Sequence, residues 1–538
     1  MSPGWLSGGL LLLCLALAGG EPPGEDPVTP LDRLGARVER TAEGEVWAID
    51  LSRAAGVNAG LDQLPRFPRV RQLILPAALD DAGLGRVAGL AALRELDLRR
   101  HTRLTAAGLL QLRELPGLRT LRLPPTTTDA GLACLRELPQ LERLDLTRCR
   151  QVTDAGLAEL EGLESLEELS RAEVAGLGKG GLATIARRTT LKRLDLSGTP
   201  VGDAGLAQLT TLRGLESLNL AGTRVEGHTL PDLGGWTQLR ELDLERTPLR
   251  FESLSALTQL AALRSLTLPA GLTSVGAEPL AALSALESLS ICDSQLDDAG
   301  LAFVERLSRL RRLQLNGAAI GDAGMTRLSG LVALRELNLT GTGVSDAGLA
   351  ALRPLVRLER LSLNGTTVTL SGVVGLFVDG QGRTLVEALK ALGLATMDER
   401  GDVVEIDVAG TDLGDAELRH LGPLPSLRTL HLAGTKVTDA GLAELGQLAE
   451  TGGLAGLERL YLAKCNVTDA GLRHVARLPR LRALNLYGTK LTSAGLPLLE
   501  ELHELRLLSV TDIRLKPAAV EQLQKKLPRL TISDYTPE

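Results

Sequence analysis

The chain has 538 residues, of which 44% are hydrophobic but only 2% aromatic. Its formal charge of −7 gives no basic footprint for nucleic acid, and no apolar run reaches the ~18–20 residues of a membrane span. Internal repetition overrides the several globular domains such a length would allow, so the core is expected to be stacked layers of Leu, Val and Ala.

The N-terminus departs from the rest. Leu6 to Ala18 is apolar and ends in Ala16-Leu17-Ala18, the small-x-small pattern of a cleaved secretory leader. Residues 1–18 are therefore expected to be a signal peptide, with an uncleaved anchor as the other reading because no Lys or Arg precedes the run. Cys14 is not read as a lipidation site, since Leu13 stands where a small residue is needed. Residues 19–30, rich in Pro, Gly and acid, read as a disordered linker. A protein built this way is expected in the cell envelope, the periplasm or the medium, with no membrane span once the leader is removed.

A first array is expected over residues 31–376. Its unit is clearest from Leu191 to Gly214: Leu194-Asp195-Leu196 alternates as a half-buried strand, Gly198, Pro200 and Gly202 punctuate a turn, and Leu206, Leu209 and Leu212 recur at helical spacing. Strand cores are predicted at Ile49, Leu73, Leu96, Leu121 and Leu144, then, after a degenerate unit near Leu169, at Leu194, Leu218, Leu242, Leu266, Leu289, Leu313, Leu337 and Leu361. One such unit buries too little to offset its ordering entropy, so the units must stack.

The period then breaks: the next strand core begins at Ile406, with Gly372, Gly375, Gly380 and Gly382 marking a loose joint before it. The text from Leu389 resembles that from Leu31, so a second array with its own starting cap is expected over residues 377–538. Its strands are predicted at Ile406, Leu430, Leu460, Leu484 and Leu508, with an insertion bulging near Glu450 to Gly453. A closing helix from Pro517 to Leu527 and a last strand at Leu530 to Ile532 complete it.

The text LERLDLTRCRQVTDAGLAEL at Leu141 to Leu160, repeated nearly intact as TLHLAGTKVTDAGLAEL in the second array, resembles that of leucine-rich repeats. It is similar to the cysteine-containing subclass of F-box receptor proteins, and closer still to the repeats of exported planctomycete proteins. The resemblance implies an α/β horseshoe solenoid with a parallel concave sheet and convex helices. It further implies a non-catalytic scaffold for a protein partner, here expected to be a monomer. An intracellular adaptor of the F-box-receptor kind and a passive envelope spacer are the other readings. No F-box-like segment fits before the repeats, and an enzyme is the reading with least support.

No catalytic, metal or cofactor motif is found, and none is expected: the histidines are scattered and the cysteines show no ligand spacing. The Asp of the recurring Asp-Ala-Gly-Leu (Asp129, Asp154, Asp203, Asp322, Asp439, Asp469 and others) is read as an acid at a helix start. Thr199 and its equivalents, with Cys149 and Cys465 in the same slot, are read as buried turn residues. Asn338, Asn364 and Asn466 fit the glycosylation sequon.

Function is sought on the sheet face turned away from the core. In the first array Asp97, Asp145, Asp195 and Asp243 lie there beside Arg143 and Arg193, as an acidic patch for a basic partner or as a merely solvated face. In the second, His431, Tyr461, Asn485 and Tyr487 place two of the chain's three tyrosines on the exposed strand positions. Aromatics on a rigid sheet are interface anchors.

Overall fold

A computed structural model of the chain describes residues 28–54, 58–76, 78–174, 176–228, 230–377, 385–418, 421–533 and 536–537. The expected signal peptide lies outside them, as does the expected linker up to Pro27; so do Gly380, Gly382 and His420. The described residues form two compact units, one ending at Gly176 and the other beginning at Leu177.

In the first unit an antiparallel hairpin, Arg37–Arg40 with Val46–Asp50, leads into a ladder of three-residue parallel strands. These are Gln72–Ile74, Glu95–Asp97, Thr120–Arg122, Arg143–Asp145 and Glu168–Ser170. Ile49, Leu73, Leu96, Leu121, Leu144 and Leu169 stand in register across it, all buried. Because the side-chain period of a strand is two, the residues flanking each leucine face outward together.

The degenerate unit at Leu169 has a concrete form. Arg171 occupies the position that Leu146 holds one strand earlier, and it is completely buried. Its Nη2 donates to the Val152 carbonyl at 2.6 Å, while Nε and Nη1 have no partner among the described residues. Burial depresses its pKa to about 10, against partial support from Asp154, Asp129 and Cys149.

A second exception is His101, which holds the slot that Thr199 holds in the reference unit. It is buried, with Nε2 3.2 Å from the Pro76 carbonyl and Nδ1 unpartnered among the described residues. Burial lowers its pKa despite bonds from Pro76 and Leu98 and the charge of Asp97. A histidine with a depressed folded pKa binds fewer protons folded than unfolded. Its penalty is absent above the unfolded value and grows as pH falls below about 6.5. His101→Thr, which restores the usual residue of the slot, is expected to reduce the loss of urea stability between about pH 7 and pH 5. Parallel pH curves for the variant and parent would remove this role.

The second unit holds two ladders. The first runs Arg193–Asp195, Ser217–Asn219, Glu241–Asp243, Ser265–Thr267, Ser288–Ser290, Arg312–Gln314, Glu336–Asn338 and Arg360–Ser362, all parallel. In the reference unit Leu191, Leu194, Leu196, Val201, Leu206, Leu209 and Leu212 are each no more than 2% exposed. The second ladder opens with another antiparallel hairpin, Ala395–Met397 with Val403–Asp407. Parallel strands Thr429–His431, Arg459–Tyr461, Ala483–Asn485, Leu507–Ser509 and Thr531–Ile532 follow. The closing helix is Pro517–Lys526.

Two local expectations change. Gly372 and Gly375 belong to the helix Leu370–Phe377, not to a loose joint. The insertion near Glu450 does not bulge as a loop. It is absorbed by a helix lengthened to Asp439–Glu450, against Asp469–Val475 in the next unit. The inserted stretch begins with good helix formers and ends at Gly452, whose φ of +76° closes the turn.

The helical segments are held between repeats by the Asp-Ala-Gly-Leu aspartate, in a way that differs from the expected role. The helix N-cap is the preceding residue: Thr153, Ser345, Thr438 and Thr468 each accept from an amide of their own first turn. The aspartate instead caps the next repeat. Asp439 accepts from the Thr468 amide at 2.8 Å and its hydroxyl at 2.6 Å, and Asp415 does the same for Thr438. Asp129, Asp322, Asp346 and Asp469 repeat the pattern with Thr153, Ser345, Thr369 and Thr492. The Gly two residues past each repeat's own aspartate is small because the preceding repeat's carboxylate passes over it: a Cβ on Gly471 would overlap Asp439.

The turn slot is also filled as expected. Thr199, Thr223, Thr342 and Thr435 donate to the carbonyl three residues back. Cys149 and Cys465 are free and buried, each with its thiol directed to a carbonyl of the preceding unit.

Candidate functional site

Each ladder presents three rows of outward residues: one before the first core leucine, one between the two, one after the second. In the first unit the middle row runs Asp50, Ile74, Asp97, Arg122, Asp145 and Ser170. Asp97 is bound by Arg99 at 2.6 Å, with Arg122 at 4.0 Å, and Arg99 also reaches Asp145 at 4.0 Å. Burial pushes the Asp97 carboxyl up, but the Arg99 hydrogen bonds and charge bring it below its ordinary value. Arg143 is tied to the Thr120 hydroxyl by its Nε at 2.8 Å. The acids here are largely neutralised within the sheet.

In the second unit Asp195 and Asp243 flank Asn219 in register, with Arg193 exposed in the row before. Burial holds the Asp243 carboxyl above its ordinary value, and repulsion from Glu245 and Asp195 adds to this against a bond from the Glu245 amide.

The acids share a local task. Asp97, Asp145, Asp195, Asp243 and Asp407 each accept from the amide two residues on, closing the strand end into the turn. Asn219, Asn338 and Asn485 do the same with their side-chain oxygen. Much of the Asp/Asn enrichment in this row is therefore a turn requirement.

The second ladder is different. Its middle row is Asp407, His431, Tyr461, Asn485 and Ser509. The His431 and Tyr461 rings stack with centroids 4.3 Å apart and planes 3° apart. Glu405 fixes the imidazole through His431 Nε2 at 3.1 Å, and Arg459 is tied to Thr429 at 3.0 Å. Asn485 accepts from the Tyr487 amide at 3.0 Å, linking the stacked pair's neighbour to the third row.

Tyr487 lies outside the two core leucines, in that third row. The Lys464 ammonium sits 5.6 Å from its ring centre, within cation–π range. Asp512, one repeat further on, raises the phenol's pKa through hydrogen bonding and its charge. Lys464 and Asp512 both adopt left-handed backbone, φ +59° and +61°, in the slot that Gly410, Gly434 and Gly488 fill elsewhere in this ladder. A non-glycine residue there costs energy. Glu405, Lys464 and Asp512 escaped sequence reasoning; the readable signal for the last two was a charged residue in a glycine slot.

Among the described residues no group of three or more His, Cys, Asp or Glu is placed to hold a metal ion. Nor is any helix among them long and apolar enough to cross a membrane.

In-register leucine strands, buried turn slots and short outer helices repeating about every 24 residues define an α/β solenoid of stacked units. The profile of the Leucine Rich repeat family matches residues 138–160, 188–209, 333–352 and 424–446, and the chain is a leucine-rich repeat protein. No curated protein sequence matches it. Similar solved structures include an internalin from Listeria monocytogenes, 19% identical over 70% of this chain and 89% of that one, with a TM-score of 0.36. A leucine-rich repeat protein of Leptospira interrogans is 20% identical over 80% of this chain and 98% of its own, with a TM-score of 0.40.

Proposed function

We propose that the chain is an exported, non-catalytic scaffold that captures a protein partner on the exposed sheet face of its second ladder. The observation that carries this reading is the fixed aromatic group: the stacked His431–Tyr461 pair, with Tyr487 one repeat further on in cation–π range of Lys464. Aromatic side chains already immobilised in the free protein lose little entropy on binding, so more of their contact energy appears as affinity.

The export part rests on the apolar leader that ends at Ala16-Leu17-Ala18. The partner class rests on the family: leucine-rich repeats are interaction scaffolds as a class. The acids of the first unit's ladder are assigned a supporting role at most, given their turn bonds and arginine partners.

The test is capture of partners from an envelope extract by the purified chain, followed by titration of whichever protein is retained. Tyr461→Ala and Tyr487→Ala are each expected to weaken that binding by roughly 30-fold, the scale of an interface hot spot. Capture unaffected by both substitutions rejects this face and sends the search to the first ladder. Absence of any saturable partner favours a passive spacer.

A further inference from the structure

Two Asn-Gly dipeptides occur in the sequence, Asn316-Gly317 and Asn364-Gly365. They hold the same place in their repeats, directly after the second core leucine, and both glycines are left-handed, φ +72° and +70°. Their chemical surroundings nevertheless differ. The Gly317 amide donates to the Thr340 carbonyl of the next strand at 2.8 Å. The Asn316 side-chain oxygen is held as well, by the Cys292 thiol at 3.0 Å and by Asn338 Nδ2 at 3.5 Å.

Asn364 stands on the last rung of its ladder. Gly198, Gly222, Gly341, Gly410 and Gly434 all donate their amides to the following repeat, as Gly317 does. For Gly365 no parallel strand follows Arg360–Ser362, and its amide has no partner among the described residues. The Asn364 side chain is exposed and borders a cavity of about 300 Å³ between Leu363, Val368, Leu394 and Asp412. Among the described residues only its backbone carbonyl is engaged, by Gly341 at 2.7 Å.

We propose that Asn364 is a site of spontaneous deamidation, and that the ladder protects Asn316 from the same reaction. Base removes the Gly365 amide proton, and that nitrogen attacks Asn364 Cγ. The Cγ–Nδ2 bond breaks, ammonia leaves, and a five-membered imide joins Cγ to the Gly365 nitrogen. Water then opens the ring at either carbonyl, giving aspartate or isoaspartate, for a net exchange of one water for one ammonia. No oxidant, reductant or enzyme is needed. Glycine after the asparagine leaves the nitrogen sterically open, because no Cβ stands beside it.

The product changes this end of the sheet. Ser290, Gln314, Asn338 and Ser362 form an uncharged middle row that ends beside Asn364, and either product adds a carboxylate there. Isoaspartate also inserts a methylene into the main chain and displaces the carbonyl that receives the Gly341 amide. The end of the first ladder thus carries a built-in, irreversible clock for charge and register.

The experiment incubates the purified full-length chain from a bacterial host in warm, mildly alkaline buffer. Peptide mapping by mass spectrometry follows both sites over time, with aspartate and isoaspartate separated chromatographically. In the folded protein Asn364 is expected to convert at least roughly tenfold faster than Asn316, since attack there breaks none of the bonds that hold Asn316-Gly317. In urea the two rates should converge. Asn364→Gln should abolish conversion at that position and leave Asn316 unchanged. Equal rates in the folded protein, or the same ratio with and without urea, would overturn the assignment.

Discussion

Arg171→Leu is expected to stabilise the protein, although it removes a charged side chain with a good hydrogen bond. The position belongs to a leucine in the repeat, and Leu146 fills it one strand earlier without exposure. The guanidinium is fully buried, while among the described residues only Nη2 has found an acceptor. Depression of its pKa from 12.5 to about 10 corresponds to a penalty of order 3 kcal/mol for keeping the charge in place. The substitution leaves the Val152 carbonyl without this donor, which returns about 1–2 kcal/mol. A net gain of about 1–2 kcal/mol remains, in line with the effect of replacing other buried charges by apolar groups. Urea unfolding followed by far-ultraviolet circular dichroism gives the measurement, with Arg171→Met as a second variant nearer in length. Destabilisation by both would show that the guanidinium holds its neighbours together by contacts beyond the Val152 bond.

The repeat frame was legible because its signal is physical and redundant. Leu194 and Leu196 alternate with a polar residue, and the same alternation in neighbouring units forces one register, since slipping by one residue would turn every leucine outward. Period alone does not reveal which neighbour a polar side chain serves. Asp439 stands at a helix start in the sequence and reads as its cap, yet Thr438 already caps that helix and the carboxylate reaches the following repeat. The same blindness affected the candidate site. Asp97 and Asp243 looked like free charge, but their carboxylates close turns two residues away, a bond that asparagine makes equally well at Asn219. His431, Tyr461, Asn485 and Tyr487 were found by composition, as rare side chains on an exposed row. Their fixation by Glu405, Lys464 and Asp512 depends on contacts between repeats, across separations that no local pattern encodes.

The bridge from Asp439 to Thr468 makes the sharper prediction, because two residues in different repeats should behave as one. Asp439→Ala is expected to cost about 2–3 kcal/mol, since the Thr468 amide and hydroxyl both lose their acceptor in a half-buried site. Gly471→Ala should cost about 1–3 kcal/mol for a different stated reason: its new methyl group would collide with that same carboxylate and with Leu442. Once the carboxylate is gone, the main obstacle to the methyl group is gone too, and alanine is the better residue by about 1 kcal/mol in a helix interior. The double variant should therefore be less destabilised than the sum of the two, by about 1–3 kcal/mol, and close to Asp439→Ala alone. Independent contributions would instead add within about 0.5 kcal/mol. Asp439→Asn provides a control, because it keeps an oxygen for the Thr468 amide and should retain part of the lost stability. The cycle is read from urea unfolding of all four proteins under one condition. Strict additivity would mean that the glycine is required by its own helix, whereas coupling means that each repeat is fitted to the carboxylate of the one before it.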